Sequence, residues 1–242
     1  MDEIRKHARV AGLLYLAVAI IAPFSLSYVP SQLDGSPGNI VEKIQTHETL
    51  LRLSLISEMI YQVIEVFITL ALFNLFRKTN PRLAMQMLVL GLLPIPMVYL
   101  NQLTEWGAIT LAVQNGSLST MPPSAKAEII GFLHHLYGQG LVLAGVFWGL
   151  WLIPLGRLII LSGFLPKFLG MSVIIGGLGY LVHVVATLAL PSLFSPAVIQ
   201  SLNQIASIMM IGEVPVIFGL LWIAFKTSPS ESTDGKIPKE GE

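Results

Sequence analysis

The chain contains no cysteine. Disulfides, thiolate metal sites and a cysteine nucleophile are thereby excluded, and the redox compartment leaves no mark on the sequence. Charge is scarce too. Only 12% of residues are Asp, Glu, Lys or Arg, where a soluble domain carries roughly 25%. Basic and acidic residues balance at 14 each, for a formal net charge of zero, so bulk attraction to nucleic acid has no support. Neither an HExxH metalloprotease pattern nor a serine nucleophile elbow occurs.

What the chain has instead is apolar length. Of its 242 residues 54% are hydrophobic, and the mean hydropathy is +0.73. Runs long enough to cross about 30 Å of hydrocarbon extend from Val10 to Val29, Leu50 to Phe76, Leu83 to Ala112, Ala125 to Leu161, Phe168 to Leu190 and Pro196 to Phe225. Backbone groups in lipid must be satisfied within the segment, so these runs predict helices. The expected fold is all-α: a polytopic membrane protein with a bundle of six transmembrane helices over residues 1–226. Residues 227–242, rich in Ser, Lys, Glu and Gly, read as a polar, disordered tail.

Lysine and arginine are distributed unevenly. Arg5, Lys6, Arg9, Arg77, Lys78, Arg82, Arg157, Lys167 and Lys226 fall on one side of the alternating spans, and only Lys43, Arg52 and Lys126 on the other. The positive-inside rule then predicts a plasma-membrane protein with both termini cytoplasmic. No small-x-small cleavage site follows the first span, so it reads as a span and not as a signal peptide.

Polar side chains inside the spans carry the functional expectation, because each costs about 2.5–3.5 kcal/mol at the bilayer centre when charged and needs a partner or water. The second span carries Ser54, Glu58, Gln62, Glu65 and Thr69 on one stripe at 100° per residue. Asn101 and Glu105 share a face of the third span, and His135 and Gln139 one of the fourth, next to His134. Tyr180 and His183 align on the fifth, while Asn203 and the deeper Glu213 lie on the sixth. Counting at ~1.5 Å per residue puts Glu58, His134, His135 and Asn203 roughly 10–14 Å below the extracytoplasmic ends. One polar cavity open to that side follows, lined by these residues, with Arg52 at its mouth; Glu65 and Glu213 lie deeper, toward the cytoplasmic half, where they could form a second layer. Gly131, Gly138, Gly145, Gly149 and Gly156 form a seam on the fourth span that permits close helix contact, within the chain or with a second copy. Pro94, Pro96 and Pro215 are expected to bend their helices.

At GVFWGLWLIPLGRLIILSGFLPKFLG, followed by GGLGYLVH and IGEVPVIFGLLWIAFK, the chain resembles a bacterial multi-pass membrane family, DUF4386, a domain of unknown function. The resemblance runs from ARVAGLLYL to the glutamate of the sixth span. It implies six spans, a histidine in the fourth (His134 or His135), an arginine near the start of the second (Arg52) and a glutamate in the sixth (Glu213). It implies no activity.

Three functions compete on this reading. The first is binding or translocation of a small solute or lipid-like molecule in the cavity. The second is an intramembrane zinc hydrolase, with His134 or His135, His183 and Glu58 or Glu105 gathered from separate helices. The third is an assembly protein in which the polar groups only join helices. The first leads. It assigns no catalytic residue, cofactor or metal, and its partners are the bilayer and a small ligand. Tryptophans 106, 148, 151 and 222 read as interfacial anchors or lipid-facing bulk.

Overall fold

Proline and asparagine punctuate the apolar runs. Asn80 caps the helix that follows it by accepting from the Leu83 amide at 3.0 Å, with Pro81 in the first turn. Pro123 and Pro196 likewise occupy helix starts. The fourth span ends at Gly163, whose φ of 69° is the left-handed conformation that closes a helix.

The structure, a computed structural model, describes residues 2–33, 40–113, 121–191 and 193–226. The predicted tail at 227–242 lies outside the described residues. Among the described residues all regular structure is helical. The elements are α1 (Asp2–Pro23), α2 (Val29–Leu33), α3 (Ile40–Thr46), α4 (Glu48–Phe76), α5 (Pro81–Leu92), α6 (Pro94–Val113), α7 (Pro123–Ser162), α8 (Lys167–Leu188), α9 (Pro196–Met210) and α10 (Val214–Phe225). Six helical stretches are long and apolar enough to cross a membrane: Glu3–Leu33, Glu48–Phe76, Pro81–Val113, Pro123–Ser162, Lys167–Leu188 and Pro196–Phe225.

Three of the six are interrupted. A π-helical segment, Phe24–Tyr28, separates α1 from α2. Leu93 breaks the third stretch immediately before Pro94, and a 3-10 turn, Ile211–Glu213, breaks the sixth before Pro215. Proline lacks the amide that would continue the helix, so the latter two breaks fall where the prolines direct them.

The stretches form a ring. α1 packs on α4, α4 on α5 and α6, these on α7, α7 on α8, and α8 on α9. α10 closes the ring against α1. The side chain of Arg9 reaches the Ala224 carbonyl at 3.4 Å and lies 5.2 Å from the Phe225 ring centre. Residues 9 and 225 therefore share one end of the ring with Lys78, which bonds Glu3 at 2.7 Å. We call this end the basic face and the opposite end the far face.

Each end has its own apolar plug. Toward the basic face lie Ala8, Ala11, Leu72, Phe76, Leu155 and Leu220, among others. At the far face α2 and α3 fold over the ring, and Ile44 of α3 is fully buried with Leu33, Leu51, Ile109 and Ile130. Burying a side chain of that size contributes about 1.5–3 kcal/mol toward seating α3 there.

α7 and α8 approach most closely, and glycine allows it. A Cβ on Gly156 would stand 2.4 Å from the Gly170 carbonyl oxygen, and one on Gly149 would stand 2.7 Å from that of Gly177. The predicted seam is thus used inside the chain by Gly145, Gly149 and Gly156. Gly138 meets nothing within 4 Å, and Gly131 only touches Ile40.

Candidate functional site

The polar residues separate into two groups at different heights. The first is centred on Glu58, which is fully buried. Its carboxyl accepts hydrogen bonds from Tyr137 Oη at 2.8 Å, Gln102 Nε2 at 2.8 Å and Tyr61 Oη at 3.5 Å. These donors come from α7, α6 and α4 itself, so one carboxyl ties three helices together across the ring. Beside it, His134 Nδ1 lies 2.9 Å from Glu105 Oε2. Asn101 donates to the Tyr137 carbonyl at 2.8 Å, an approach that requires glycine at 140, where a Cβ would stand 1.9 Å from Asn101 Oδ1. The space next to Glu105, His134 and Tyr137 is about 20 Å³, room for about one water.

The second group borders a cavity of about 490 Å³, within the range of small-molecule sites. On each element that reaches both groups, the cavity residues lie nearer the basic face: Gln62 and Glu65 after Glu58 on α4, Pro94 before Gln102 on α6, and Gly145 after Tyr137 on α7. Tyr180 and His183 of α8 and Glu213 complete its polar lining. Aromatic rings form much of the remaining wall. Trp151 stacks on Tyr15 at 6.4 Å between centroids, and Trp148 meets Tyr180 edge-on at 6.1 Å.

Hydrogen bonding differs sharply between the groups. Gln62 is only 1% exposed, yet neither its Nε2 nor its Oε1 has a partner. The carboxyl of Glu65 likewise has no hydrogen-bond or ion-pair partner among the described residues. Glu213 accepts from the Tyr15 hydroxyl, and His183 Nδ1 lies 3.0 Å from Asn203 Oδ1. Among the described residues no lysine or arginine lines the cavity.

The opening of the cavity lies in the ring wall. α1 is closed against α10, but α9 packs chiefly on α8, with Ala206 the only buried residue among its 15. Leu26 and Ser27 on one side and Ser207 on the other are exposed and line the cavity. The gap thus runs between the end of the first stretch and α9.

Of the thirteen residues singled out in the sequence, Gln62, Glu65, Tyr180, His183 and Glu213 border this cavity. Glu58, Asn101, Glu105 and His134 belong to the network above it. The expected chamber is therefore filled at the level where the long side chains of Glu58 and Tyr137 meet across the ring, and the open space lies at the deeper layer that holds Glu65 and Glu213. His135 points to the outside of the bundle, where it is exposed, and Gln139 is half-buried beyond the lining. Arg52 pairs with Glu48 at 2.8 Å on the far face, away from the cavity. Asn203 lines a shallow groove with Gln200 and Gln204 and reaches the cavity only through His183.

The hydrolase ligand set does not converge. His183 pairs with Asn203 while His134 pairs with Glu105, and no three His, Cys, Asp or Glu side chains among the described residues are placed to share a metal. Trp106 and Trp222 are exposed on the outside, at 57% and 70%; Trp148 and Trp151 face the cavity instead. Sequence reasoning missed Tyr15, Tyr61, Gln102 and Tyr137. Their signal was present, since a tyrosine hydroxyl deep in an apolar run needs a partner.

No curated protein and no solved structure matches the chain. A family model described as "Domain of unknown function (DUF4386)" matches residues 10–225.

Proposed function

From the premise that the chain belongs to the DUF4386 family, a domain of unknown function, we propose that it is a plasma-membrane protein that binds, and passes across part of the bilayer, a small amphiphilic molecule. The orientation in this reading puts the basic face in the cytoplasm, supported by the lysines and arginines gathered there. One observation carries the binding: the buried amide of Gln62, with no protein partner, at the edge of a cavity of about 490 Å³. A buried polar group left unsatisfied costs about 1–3 kcal/mol, and a ligand head group in the cavity removes that cost. The lateral gap between Ser27 and Ser207 favours a molecule delivered from the bilayer. The Glu58 network and the α2–α3 cover obstruct the path from the far face.

Eight-carbon amphiphiles test this. Octyltrimethylammonium, octanol and octanoate are titrated calorimetrically into nanodiscs with and without the protein. Saturable one-to-one binding of at least one of them, abolished by Val142→Trp, which fills the cavity from α7, is the expected result. Heats that match empty nanodiscs for all three would overturn the reading.

A further inference from the structure

The cavity has a composition that selects among amphiphiles. Two carboxyl groups, Glu65 and Glu213, reach one enclosed space from α4 and the sixth stretch. Among the described residues the only protein donor to either is the Tyr15 hydroxyl on Glu213. Four other acidic groups meet a basic side chain or hydrogen-bond donors: Glu3 meets Lys78, Glu48 meets Arg52, Glu105 meets His134, and Glu58 takes three donors. Glu65 has none of these.

Around the carboxyls stand aromatic side chains. Trp148, Trp151, Tyr61 and Tyr180 all border the space, and aromatic rings attract ammonium groups by about 0.5–2 kcal/mol each, most strongly when water is excluded. Gln62, whose side-chain amide is buried and unpartnered, borders the same volume. An anionic head group would meet two carboxyls with no lysine or arginine to offset them. A neutral one would form no ion pair with Glu65.

On the cavity reading above, which it extends, we infer that the molecule bound here is an organic cation: an alkylammonium whose head sits among Glu65, Gln62 and the tryptophans, and whose chain lies in the gap between the first stretch and α9. Leu26 and Met210, at that gap, supply apolar contact for the chain. His183, the one imidazole in the lining, has its Nδ1 turned to Asn203 and stands across the cavity from α4.

The same three amphiphiles separate this inference from the cavity reading. Octyltrimethylammonium is expected to bind at least tenfold more tightly than octanol, and octanoate more weakly than either. Glu65→Gln should reduce octyltrimethylammonium affinity about tenfold and leave octanol unchanged. Glu65→Asp, which keeps the carboxylate, should retain the order, and so should Glu128→Gln on the exposed far end of α7. If the three probes bind equally and Glu65→Gln alters none of them, the cation inference fails while the cavity reading stands. If none binds saturably, both fail.

Discussion

Glu58 and Gln62 sit one turn apart on the same stripe of α4, and both are buried to within 1% of completely, yet their surroundings are opposite. Each carboxyl oxygen of Glu58 has a partner from another helix, and almost no space is left around it. Around Gln62 the partners stop and the space begins. The first arrangement is what a polar stripe does when it joins helices. The second is a polar stripe that the neighbouring helices leave open. A stripe on a helical wheel does not distinguish these roles; the residues opposite it do.

Substitutions can break this contrast. The largest effect is expected from Glu58→Ala, which strands the Tyr137 and Gln102 donors and the weaker Tyr61 contact. At about 1–3 kcal/mol per stranded buried donor, the loss is at least about 3 kcal/mol, read as a fall in thermal unfolding temperature in nanodiscs. Glu65→Ala, by contrast, should cost little, and equal losses for the two would erase the distinction. Gly149→Ala comes next. Its methyl would press on the Gly177 carbonyl and on Leu181, and overpacking of this kind costs about 1–3 kcal/mol. Because Gly149 is one residue from Trp148 in the cavity wall, amphiphile binding should weaken with it while the Glu58 network stays intact. The smallest change in stability belongs to Gln62→Met. Removing two unpartnered buried atoms should leave unfolding unchanged or shift it upward by about 1 kcal/mol, and binding should still fall.

The spans were legible because hydrocarbon enforces them: the starts at Pro196 and near Pro81, and the ends at Phe76 and Phe225, are set by where polar residues and prolines fall. The π-helical segment at Phe24–Tyr28 was not, since no residue in FSLSY demands a wider turn. Heights of polar groups were also legible, for rise per residue is nearly constant. Glu58 and Glu105 do occupy one level, as their contacts to Tyr137 and His134, three residues apart on α7, show. Lateral reach was not. Whether His135 or His134 turns inward depends on the rotation of α7, and that rotation is set by Gly149 and Gly156 against α8, contacts that a single helix does not contain. The tryptophans follow the same rule: Trp148 and Trp151 belong to the inner face only once α7 is rotated by that contact.

The 3-10 turn at Ile211–Glu213 leaves α9 attached below and supported on one flank. Fifteen helical residues make a lever arm about 22 Å long at ~1.5 Å each, so a tilt of about 10° at that turn swings the tip by about 4 Å. Glu213 sits at the fulcrum, hydrogen-bonded to Tyr15. The break in the sixth stretch and the wall of the cavity therefore share one residue.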